Sequence, residues 1–567
     1  MAQLILSIDS WGGMNARDQA DQLVSRSHAP SQGGWAQYPG VGAESPDMLN
    51  VDYDPQGIQK RLGSASYADL SATIPSGDSM ILGGEWRTSS GARIEFAVTT
   101  TTIMTTQSGS WAKINASTGA TAFTFPSNVT KGTAATLEGH LFFFTDGASN
   151  RIEHTRDLAA MDANLQSGNL FNFAYGTATA AAVTGSWPQA VPYGTVVNSR
   201  LAWSSGNVLI EFTPMSRTSG SGTWDLAGST AGNFRAAGNI RFLTTFIPRG
   251  GNKIVDEIVV AGTSVGLESS TGFNAYDRLN REEGSEAPLN HKCFCKSNNW
   301  LIYLTDKKNI HGYNGDQVID LGERLKNSNR DGPLDNMHIS TSETNSWAIY
   351  NGITQQAWLA FSTSTTRIND SIAVIDFKNG EPMPGEGKES FERRVRIVPW
   401  QIITPDSNDG FMFVYAKSGA YIGVKANGTM WTCNSGANDQ GVLAIPARIK
   451  SLMFTGGPAV ATRQKQWARL NLRAIPTGNW DATINEYFDR EEEASGQWTM
   501  TQVNSGTPLV DTAVVPFALQ GGGVVRKFDR VDRRSEAMQW EIVQEGSSEG
   551  FTITNASLTY EVGAEVA

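Results

Sequence analysis

Short apolar segments with the composition of β-strands return along this chain at a nearly regular interval, and this recurrence limits the folds open to it. Each segment is followed by a turn rich in Gly, Ser, Asp or Asn, and several then enter a second strand. The spacing is roughly 43 to 59 residues, the range in which one repeat builds one propeller blade. The segments are residues 94–98, 141–144, 201–203, 258–260, 301–304, 358–361 and 411–415.

About four strands fit into each interval, which is the number that a propeller blade needs. The sequence therefore predicts an all-β protein whose body, residues 66–446, is a β-propeller of about six or seven blades. The alternative is a run of irregular β-sandwiches without radial symmetry. It stays open here because the intervals are uneven and no signature residue recurs.

Length and composition agree with several β-rich domains. A chain of 567 residues is too long for one hydrophobic core, so we expect two to four domains. Only 18% of the residues are charged, and 58 are glycine, which favours strands and turns over helices with charged surfaces. The one helix that we predict is short, covers residues 18–25 and has Asp18 as its N-cap.

The net charge of −11 limits the possible partners. An exposed face that binds nucleic acid needs clustered Lys and Arg to displace counterions, so general nucleic-acid binding is not indicated. A channel through which DNA slides remains compatible, because an acidic wall repels phosphate and prevents sticking. The simplest interpretation is a mildly acidic, soluble protein.

From about residue 447 the pattern changes to long alternating strands, which predicts a C-terminal antiparallel β-sandwich over residues 447–567. In the first of these strands we expect Trp467 and Arg469 on one face and Leu470 and Leu472 on the other. Residues 538–542 alternate as well, with their apolar side chains inward. The acidic run 489–493 is predicted to be a solvated connection.

The first 65 residues read as an extended arm that leads into the body. Residues 12–13 and 55–57 have turn chemistry, and residues 50–53 and 58–62 read as short strands. The second of these strands carries the adjacent cations Lys60 and Arg61. We expect that pair to contact a neighbouring subunit, with plain solvation as the alternative.

This opening resembles the tail nozzle, or tail tubular, proteins of short-tailed bacteriophages and the related tail-hub and packaged-DNA-stabilisation proteins. The resemblance covers roughly the first 65 residues and the last hundred, and the middle matches in rhythm. Its N-terminal residues are Gly12, Gly13, Asn15, Arg17, Asp18, Asn50, Asp52, Gly57, Lys60, Arg61 and Gly63. Its C-terminal residues are Arg463, Lys465, Trp467, Arg469 and the closing residues 551–561.

The resemblance implies a structural subunit of the virion tail, made in the host cytoplasm. It would form a ring of about six copies around a channel for genome retention and ejection. The implied partners are other copies, the head-to-tail adaptor on the portal side, tail fibres or a tail tip, and DNA in transient passage, without membrane insertion. Deletion of residues 1–60 should leave a soluble β protein that no longer assembles. The assembly contacts that we expect are Trp11, Asn15, Arg17, Asp18, Asn50, Lys60, Arg61, Arg526, Arg530 and Arg533.

The sequence offers little support for catalysis, and we predict no enzyme, no metal and no cofactor. Residues 262–266 satisfy G-x-S-x-G, but loop or strand follows them where a nucleophile elbow needs a helix. The six histidines are scattered, and none forms the i, i+4 pair of a helical zinc site. No phosphate-binding or dinucleotide-binding glycine motif is present.

The remaining predictions concern the compartment and the basic runs. Cys293, Cys295 and Cys433 are too few for a disulfide framework in so long a chain and are expected to be buried thiols. No signal peptide and no membrane-spanning stretch are predicted. The basic runs 393–396 and 526–534 alternate with strand or acidic residues, which favours ion pairs between strands or subunits.

The competing functional hypothesis is a glycan-binding or glycan-cleaving β-propeller. Cleavage needs two carboxylates that converge from different blades. The candidates are Asp306, Asp320, Glu323 and Asp376.

Overall fold

The structure of the protein is a computed structural model. The residues that it describes are 3–8, 11–14, 43–54, 57–88, 91–106, 109–116, 121–137, 140–155, 169–171, 180–182, 188–198, 200–213, 232–247, 257–270, 279–327, 329–383, 386, 388, 391, 394–402, 404, 409–455, 462–475, 480–489, 491–502, 525–529, 531, 533–547 and 550–562.

The N-terminal part of the chain contributes seven short strands. They are β1 (Gln3–Ile8), β2 (Trp11–Met14), β3 (Ala43–Ser45), β4 (Met48–Leu49), β5 (Val51–Asp54), β6 (Gly57–Lys60) and β7 (Ser64–Asp69). Strands β2 and β3 pair with each other in parallel, and the others join sheets formed by later parts of the chain. The predicted helix over residues 18–25 lies outside the described residues.

Small antiparallel sheets then follow one another along the chain, each built from consecutive strands. Blade one contains β8 (Met80–Arg87), β9 (Arg93–Thr99), β10 (Ile103–Thr105) and β11 (Ala112–Lys113), and blade two contains β12 (Gly132–Leu137), β13 (His140–Thr145) and β14 (Glu153–Thr155). A separate hairpin, β15 (Asn169–Phe171) and β16 (Ala180–Ala182), follows blade two. Blade three contains β17 (Tyr193–Val197), β18 (Arg200–Ser204), β19 (Leu209–Phe212) and β20 (Gly232–Arg235).

Four more blades complete the series. Blade four contains β21 (Ile240–Phe246), β22 (Ile258–Thr263), β23 (Gly266–Ser270) and β24 (Asn280–Arg281), and blade five contains β25 (Phe294–Lys296), β26 (Leu301–Leu304), β27 (Ile310–Tyr313) and β28 (Val318–Asp320). Blade six contains β29 (Trp347–Asn351), β30 (Gln356–Phe361), β31 (Ser371–Asp376) and β32 (Arg396–Gln401). Blade seven contains β33 (Phe411–Lys417), β34 (Ala420–Lys425) and β35 (Thr429–Cys433). A 3-10 helix (Gly322–Leu325) follows blade five, and helix α1 (Ile339–Asn345) precedes blade six.

The seven blades close into a ring, as a propeller requires. The first strand of blade seven, β33, packs beside β8, the first strand of blade one, and contacts between first strands link most of the other neighbours. Blades four and five are joined by Phe242 and Phe294, whose stacked rings lie 4.2 Å apart. The N-terminal strand β7 pairs antiparallel with β35 and supplies the fourth strand of blade seven. The ring is therefore closed by residues from the two ends of the propeller sequence.

The recurring apolar segments are explained by their place in the blades. In blades one to six they form the second strand, and only the segment at 411–415 forms a first strand, β33. A second strand lies inside its blade, and neighbouring blades cover both of its faces, so it is apolar throughout. All six residues of β30 are buried. The predicted all-β, propeller-like body is confirmed.

The C-terminal strands form two packed sheets, and the predicted sandwich is confirmed as well. Its strands are β36 (Ala447–Lys450), β37 (Lys465–Ala474), β38 (Trp480–Phe488), β39 (Gly496–Gln502), β40 (Val525–Asp529), β41 (Arg533–Ser535), β42 (Met538–Gln544) and β43 (Thr552–Val562). One sheet has the order β40-β37-β43-β6-β5, with β1 also on β43 and β41 also on β37, and the other has the order β39-β38-β42-β36-β4. Met538, Trp540 and Ile542 are fully buried between them.

The expected alternation of β37 is wrong at its start. Trp467 is fully buried together with Leu470 and Leu472, on the face where we had not expected it. The register with β43 shifts between Trp467 and Arg469, which is the signature of a β-bulge. One extra residue reverses the alternation, so the indole enters the core and its Nε1 donates to Ser535 Oγ at 2.7 Å.

The first 65 residues do not form a separate arm in the part that the structure describes. Strands β1, β5 and β6 extend one sheet of the sandwich, β4 extends the other, and β7 belongs to the propeller. The segment therefore runs through the junction between the two units. This placement decides what its charged residues contact.

Candidate functional site

Four residues of the resemblance, Asn50, Asp52, Lys60 and Arg61, lie together at the junction between propeller and sandwich. Arg61 is 3% exposed, and its two Nη atoms donate to the carboxylate of Asp439 at 2.9 and 2.5 Å. Its Nη2 also donates to the carbonyl of Gln401 at 2.6 Å, on the last strand of blade six. One guanidinium thus connects blade six to the loop that follows blade seven.

Asn50 orients that guanidinium. Its Oδ1 accepts from Arg61 Nε at 2.9 Å and from the backbone N of Gln401 at 2.6 Å, and its Nδ2 donates to the carbonyl of Pro446 at 2.8 Å. The residue is fully buried and has a φ of 54°, a left-handed conformation that asparagine tolerates better than most residues. Asn50 therefore links blade six, the arginine and the entry to the sandwich.

Two neighbouring residues of this segment contact the two domains: Lys60 binds to the sandwich and Asp52 to the propeller. Lys60 Nζ donates to Gln544 Oε1 at 2.5 Å and to the carbonyl of Gly546 at 2.9 Å, in the sandwich. Asp52 accepts from Gln356 Nε2 at 2.8 Å, in blade six. Burial raises the pKa of Asp52, and the nearby ammonium of Lys378 opposes this in part.

These contacts require a correction. We expected Asn50, Lys60 and Arg61 to contact a neighbouring subunit, but each is at most 4% exposed and has partners within its own chain. Long polar side chains are buried only where such partners satisfy them. The three residues hold the chain's own domains together.

The other expected assembly residues are placed less completely. Trp11 lies in β2 and Arg526 in β40, without described side chains, while Asn15, Arg17, Asp18 and Arg530 lie outside the described residues. Arg533 is exposed at the start of β41. Its Nη1 donates to the carbonyl of Ser495 at 3.2 Å, and its guanidinium lies 4.7 Å from the ring centroid of Phe488.

A second candidate site is a cavity on the propeller axis, which we call the axial cavity. Its volume is about 370 Å³, and every blade contributes to its lining near the beginning of its first strand. In blade order the contributors include Met80, Lys131, Tyr193, Arg241, Lys292, Glu343 and Met412. Concave sites of this volume are the usual size of small-molecule pockets.

The axial cavity brings together three cations from different blades. Lys292 is half-buried, its Nζ donates to the carbonyl of Met412 at 3.0 Å, and burial lowers its pKa to about 8. Arg241 Nη1 donates to the carbonyl of Pro288 at 2.7 Å and pairs with Asp306 at 3.2 Å. Lys131 is exposed at the end of its turn.

His291 and Tyr193 narrow the same cavity, with ring centroids 6.1 Å apart. Burial lowers the pKa of His291 well below its usual range, and Lys292 and Lys131 lower it further, which favours the neutral imidazole. Its Nε2 is buried and has no hydrogen-bond partner among the described residues.

The four candidate carboxylates lie at three separate places. Asp306 pairs with Arg241, whereas Asp376 is buried beside Lys378 at the junction with the sandwich, 3.4 Å from its Nζ. Asp320 and Glu323 together line a separate small cleft. Within the described ranges, no three His, Cys, Asp or Glu side chains lie close enough to hold a metal ion.

The G-x-S-x-G match is a hairpin turn. Thr263 ends β22, Gly266 begins β23, and the two residues pair with each other across the turn. Gly266 has a φ of 145°, which favours glycine. The three cysteines are free and buried, and burial raises the pKa of Cys293 to about 11 and that of Cys433 to about 12. No helix among the described residues is long and apolar enough to cross a membrane.

Comparison with known proteins finds distant structural similarity only. No family model matches the sequence, and no curated protein matches it. Similar solved structures include BBS1N in complex with ARL6DN, at 9% identity and a TM-score of 0.36, over 66% of this chain and 97% of that chain. The WD40 domain of Neurospora crassa Pan2 matches at 9% identity and a TM-score of 0.32, over 67% and 97%. YCF48 bound to D1 peptide matches at 11% identity and a TM-score of 0.35, over 68% and 97%. Scores this low carry no argument about function.

Proposed function

We propose that this protein is a structural subunit of a bacteriophage tail, a nozzle or hub that assembles into a ring of about six copies. The observation that carries the proposal is the common location of Asn50, Asp52, Lys60 and Arg61. These four residues of the N-terminal resemblance are buried at one junction and fix the propeller to the sandwich. Because these residues of the resemblance act together in joining the two domains, they support the interpretation that this chain shares its two-domain architecture with the tail nozzle proteins.

A fixed angle between two domains serves a ring subunit. In a closed ring each copy contacts two neighbours through different faces, and the rotation between copies must be the same at every interface. A subunit that bends at its junction would allow open helical arrangements. The buried ion pair and the hydrogen bonds of Asn50 restrict such bending.

The proposed ring would retain and release the genome through its centre and carry fibres or a tail tip. Its partners would be other copies and the head-to-tail adaptor, with DNA passing transiently. The net charge of −11 supports passage without sticking, because an acidic wall repels phosphate. No catalytic role is assigned to any residue in this proposal.

Deletion of residues 1–60 is the test of assembly that follows from the sequence, but this deletion would also damage the fold of the single chain. It would remove β1, β4, β5 and β6 from the sandwich and would leave Arg61 without Asn50. The sharper test is the mass and shape of the full-length protein, alone and mixed with adaptor and tail-tip proteins. Rings with a central hole, alone or after mixing, are expected. A monomer that ignores these partners would overturn the proposal.

The glycan hypothesis is an outcome of the same experiment. Hydrolysis needs two carboxylates around one bond, and among the described residues that line the axial cavity Glu343 is the only carboxylate. Asp320 and Glu323 do share a cleft, but its volume of about 10 Å³ has room for no more than a water molecule. A monomer that binds or cleaves an oligosaccharide would favour this second function and would direct attention to residues outside the described ranges.

A further inference from the structure

The axial cavity contains cationic donors that the described residues do not fully use. An ammonium group has three N–H donors, and among the described residues Lys292 Nζ has one acceptor, the Met412 carbonyl. No carboxylate lies within ion-pair distance of Lys292 or Lys131 among the described residues. Taking an ammonium out of water is costly unless an anion compensates it.

Arg241 also has N–H donors without an acceptor among the described residues. A guanidinium has five N–H donors, and the contacts of Arg241 with Pro288 and Asp306 both involve Nη1. Lys131 lines the same cavity as Lys292, from the turn that precedes the first strand of blade two. Cations from blades two, four and five thus face one space.

The nearby carboxylates do not cancel these cations. Asp146 is bound by the backbone N of Thr130 at 2.7 Å, by the backbone N of Lys131 at 2.9 Å and by the Thr130 hydroxyl. Asp306 pairs with Arg241. Glu343 is exposed on α1, where solvent screens it.

From this geometry we infer that the axial cavity binds a small multivalent oxyanion between Lys131, Arg241 and Lys292, either a phosphorylated or a polycarboxylated molecule. Arg and Lys recognise both groups through charge-assisted hydrogen bonds. Water occupies about 30 Å³ per molecule, so the 370 Å³ cavity has room for a ligand of on the order of ten to fifteen heavy atoms. The site is complete within one chain, so it does not depend on ring assembly.

Calorimetric titration of the full-length protein tests this site, with pyrophosphate and citrate as probes at constant ionic strength. We expect saturable binding of at least one probe. Lys292→Met should weaken it by about tenfold or more, and Lys131→Gln by several-fold, because each removes a charge-assisted hydrogen bond. Lys131 is exposed, so its variant keeps the test valid if Lys292→Met folds poorly. The matched control is Lys113→Gln, an exposed lysine on β11 outside the cavity.

The outcomes separate clearly. Stronger pyrophosphate binding would identify a phosphorylated ligand, and stronger citrate binding a polycarboxylate. Absence of saturation with both probes would overturn the inference, as would equal affinity in the wild type and both cavity variants. Either failure would leave the ring proposal untouched, since assembly is measured separately.

A labelling experiment locates the site directly. Pyridoxal phosphate is an anionic aldehyde: the Lys292 amine adds to its carbonyl carbon, water leaves, and borohydride delivers hydride to the resulting C=N bond. Peptide mass spectrometry should find Lys292 labelled before Lys113 and protected by pyrophosphate. Labelling that is equal at the two lysines and insensitive to pyrophosphate would contradict the assignment.

Discussion

Arg61 and Asp439 lie 378 residues apart in the sequence and form a buried, bidentate ion pair with side chains 2% and 1% exposed. Asp439 follows the last strand of the propeller, and Arg61 lies between the last sandwich strand of the N-terminal segment, β6, and the closing strand β7. The pair therefore joins the N-terminal segment to the propeller at the point where the ring of blades closes.

Breaking this pair should be among the most damaging single substitutions in the protein. Arg61→Ala leaves the buried Asp439 charge without its main counter-charge, so we expect a loss of about 3 to 5 kcal/mol in the free energy of unfolding. Urea unfolding of the full-length protein measures this. The control is Arg93→Ala, because Arg93 is 48% exposed and its pair with Glu85 is longer, at 3.6 Å. That control should cost less than about 1 kcal/mol. Equal effects of the two substitutions would contradict the proposed role of the junction.

Ring closure between blades seven and one should depend on Glu95. Its buried carboxylate accepts from the hydroxyls of Tyr67 and Tyr415 at 2.7 and 2.6 Å and from Lys417 Nζ at 2.5 Å. Glu95→Gln replaces one acceptor oxygen by a donor that faces other donors, so we expect a loss of about 2 to 3 kcal/mol. Tyr67→Phe removes one hydrogen bond and should cost about 1 kcal/mol. Thermal unfolding distinguishes the two, and a Glu95→Gln protein as stable as the wild type would show that the cluster does not hold the ring.

Glu153 should make stability depend on pH. It is buried on β14, its Oε2 has no hydrogen-bond partner among the described residues, and burial raises its pKa from 4.5 to about 7, although Arg151 opposes the shift. The folded state therefore holds the proton more tightly than the unfolded state. Stability should fall as pH rises from about 4.5 to 7 and then change no further through this group.

The variant Glu153→Gln imitates the protonated carboxyl at every pH. Its advantage over the wild type should grow between pH 4.5 and 7 and reach about 1 to 3 kcal/mol at pH 8. Unfolding curves of both proteins across this range measure the difference. A constant difference between the two proteins would show that the carboxyl titrates normally.

Arg533 is the expected assembly contact whose side chain the structure describes as exposed. If it contacts a neighbouring copy, Arg533→Glu should reduce ring formation by placing a like or unpaired charge at the interface. Its effect on the unfolding of the single chain should stay within about 0.5 kcal/mol, as is usual for exposed positions. Lys113→Glu is a matched charge reversal on the propeller. Rings that form equally well in the wild type and both variants would remove Arg533 from the interface.

The propeller was predictable because its signal is local. The second strand of each blade is covered on both faces, so segments such as residues 301–304 and 358–361 are apolar without interruption. The position of Trp467 was not predictable in the same way. A single bulge residue reverses the alternation of a strand, and nothing in the residue types around Ala468 marks it.

The two candidate sites depend on contacts that the sequence does not show. Lys60 and Arg61 look like surface cations until Gln544 and Asp439, hundreds of residues away, are placed beside them. The axial cavity collects one to four residues from near the beginning of each of the seven blades, and no local motif contains more than four of them. If the start of the first strand of each blade had been known, the cavity could have been predicted, because its lining residues lie near those positions.

The measurement that tests the central claim most directly is the mass distribution of the purified full-length protein, with negative-stain images of the same sample. It should be measured alone and after mixing with the adaptor and tail-tip proteins. We predict particles of roughly 370 kDa, about six times the 61.2 kDa chain, that show a central hole. A protein that remains a 61.2 kDa monomer in every mixture, and binds an oligosaccharide instead, would contradict the proposed function.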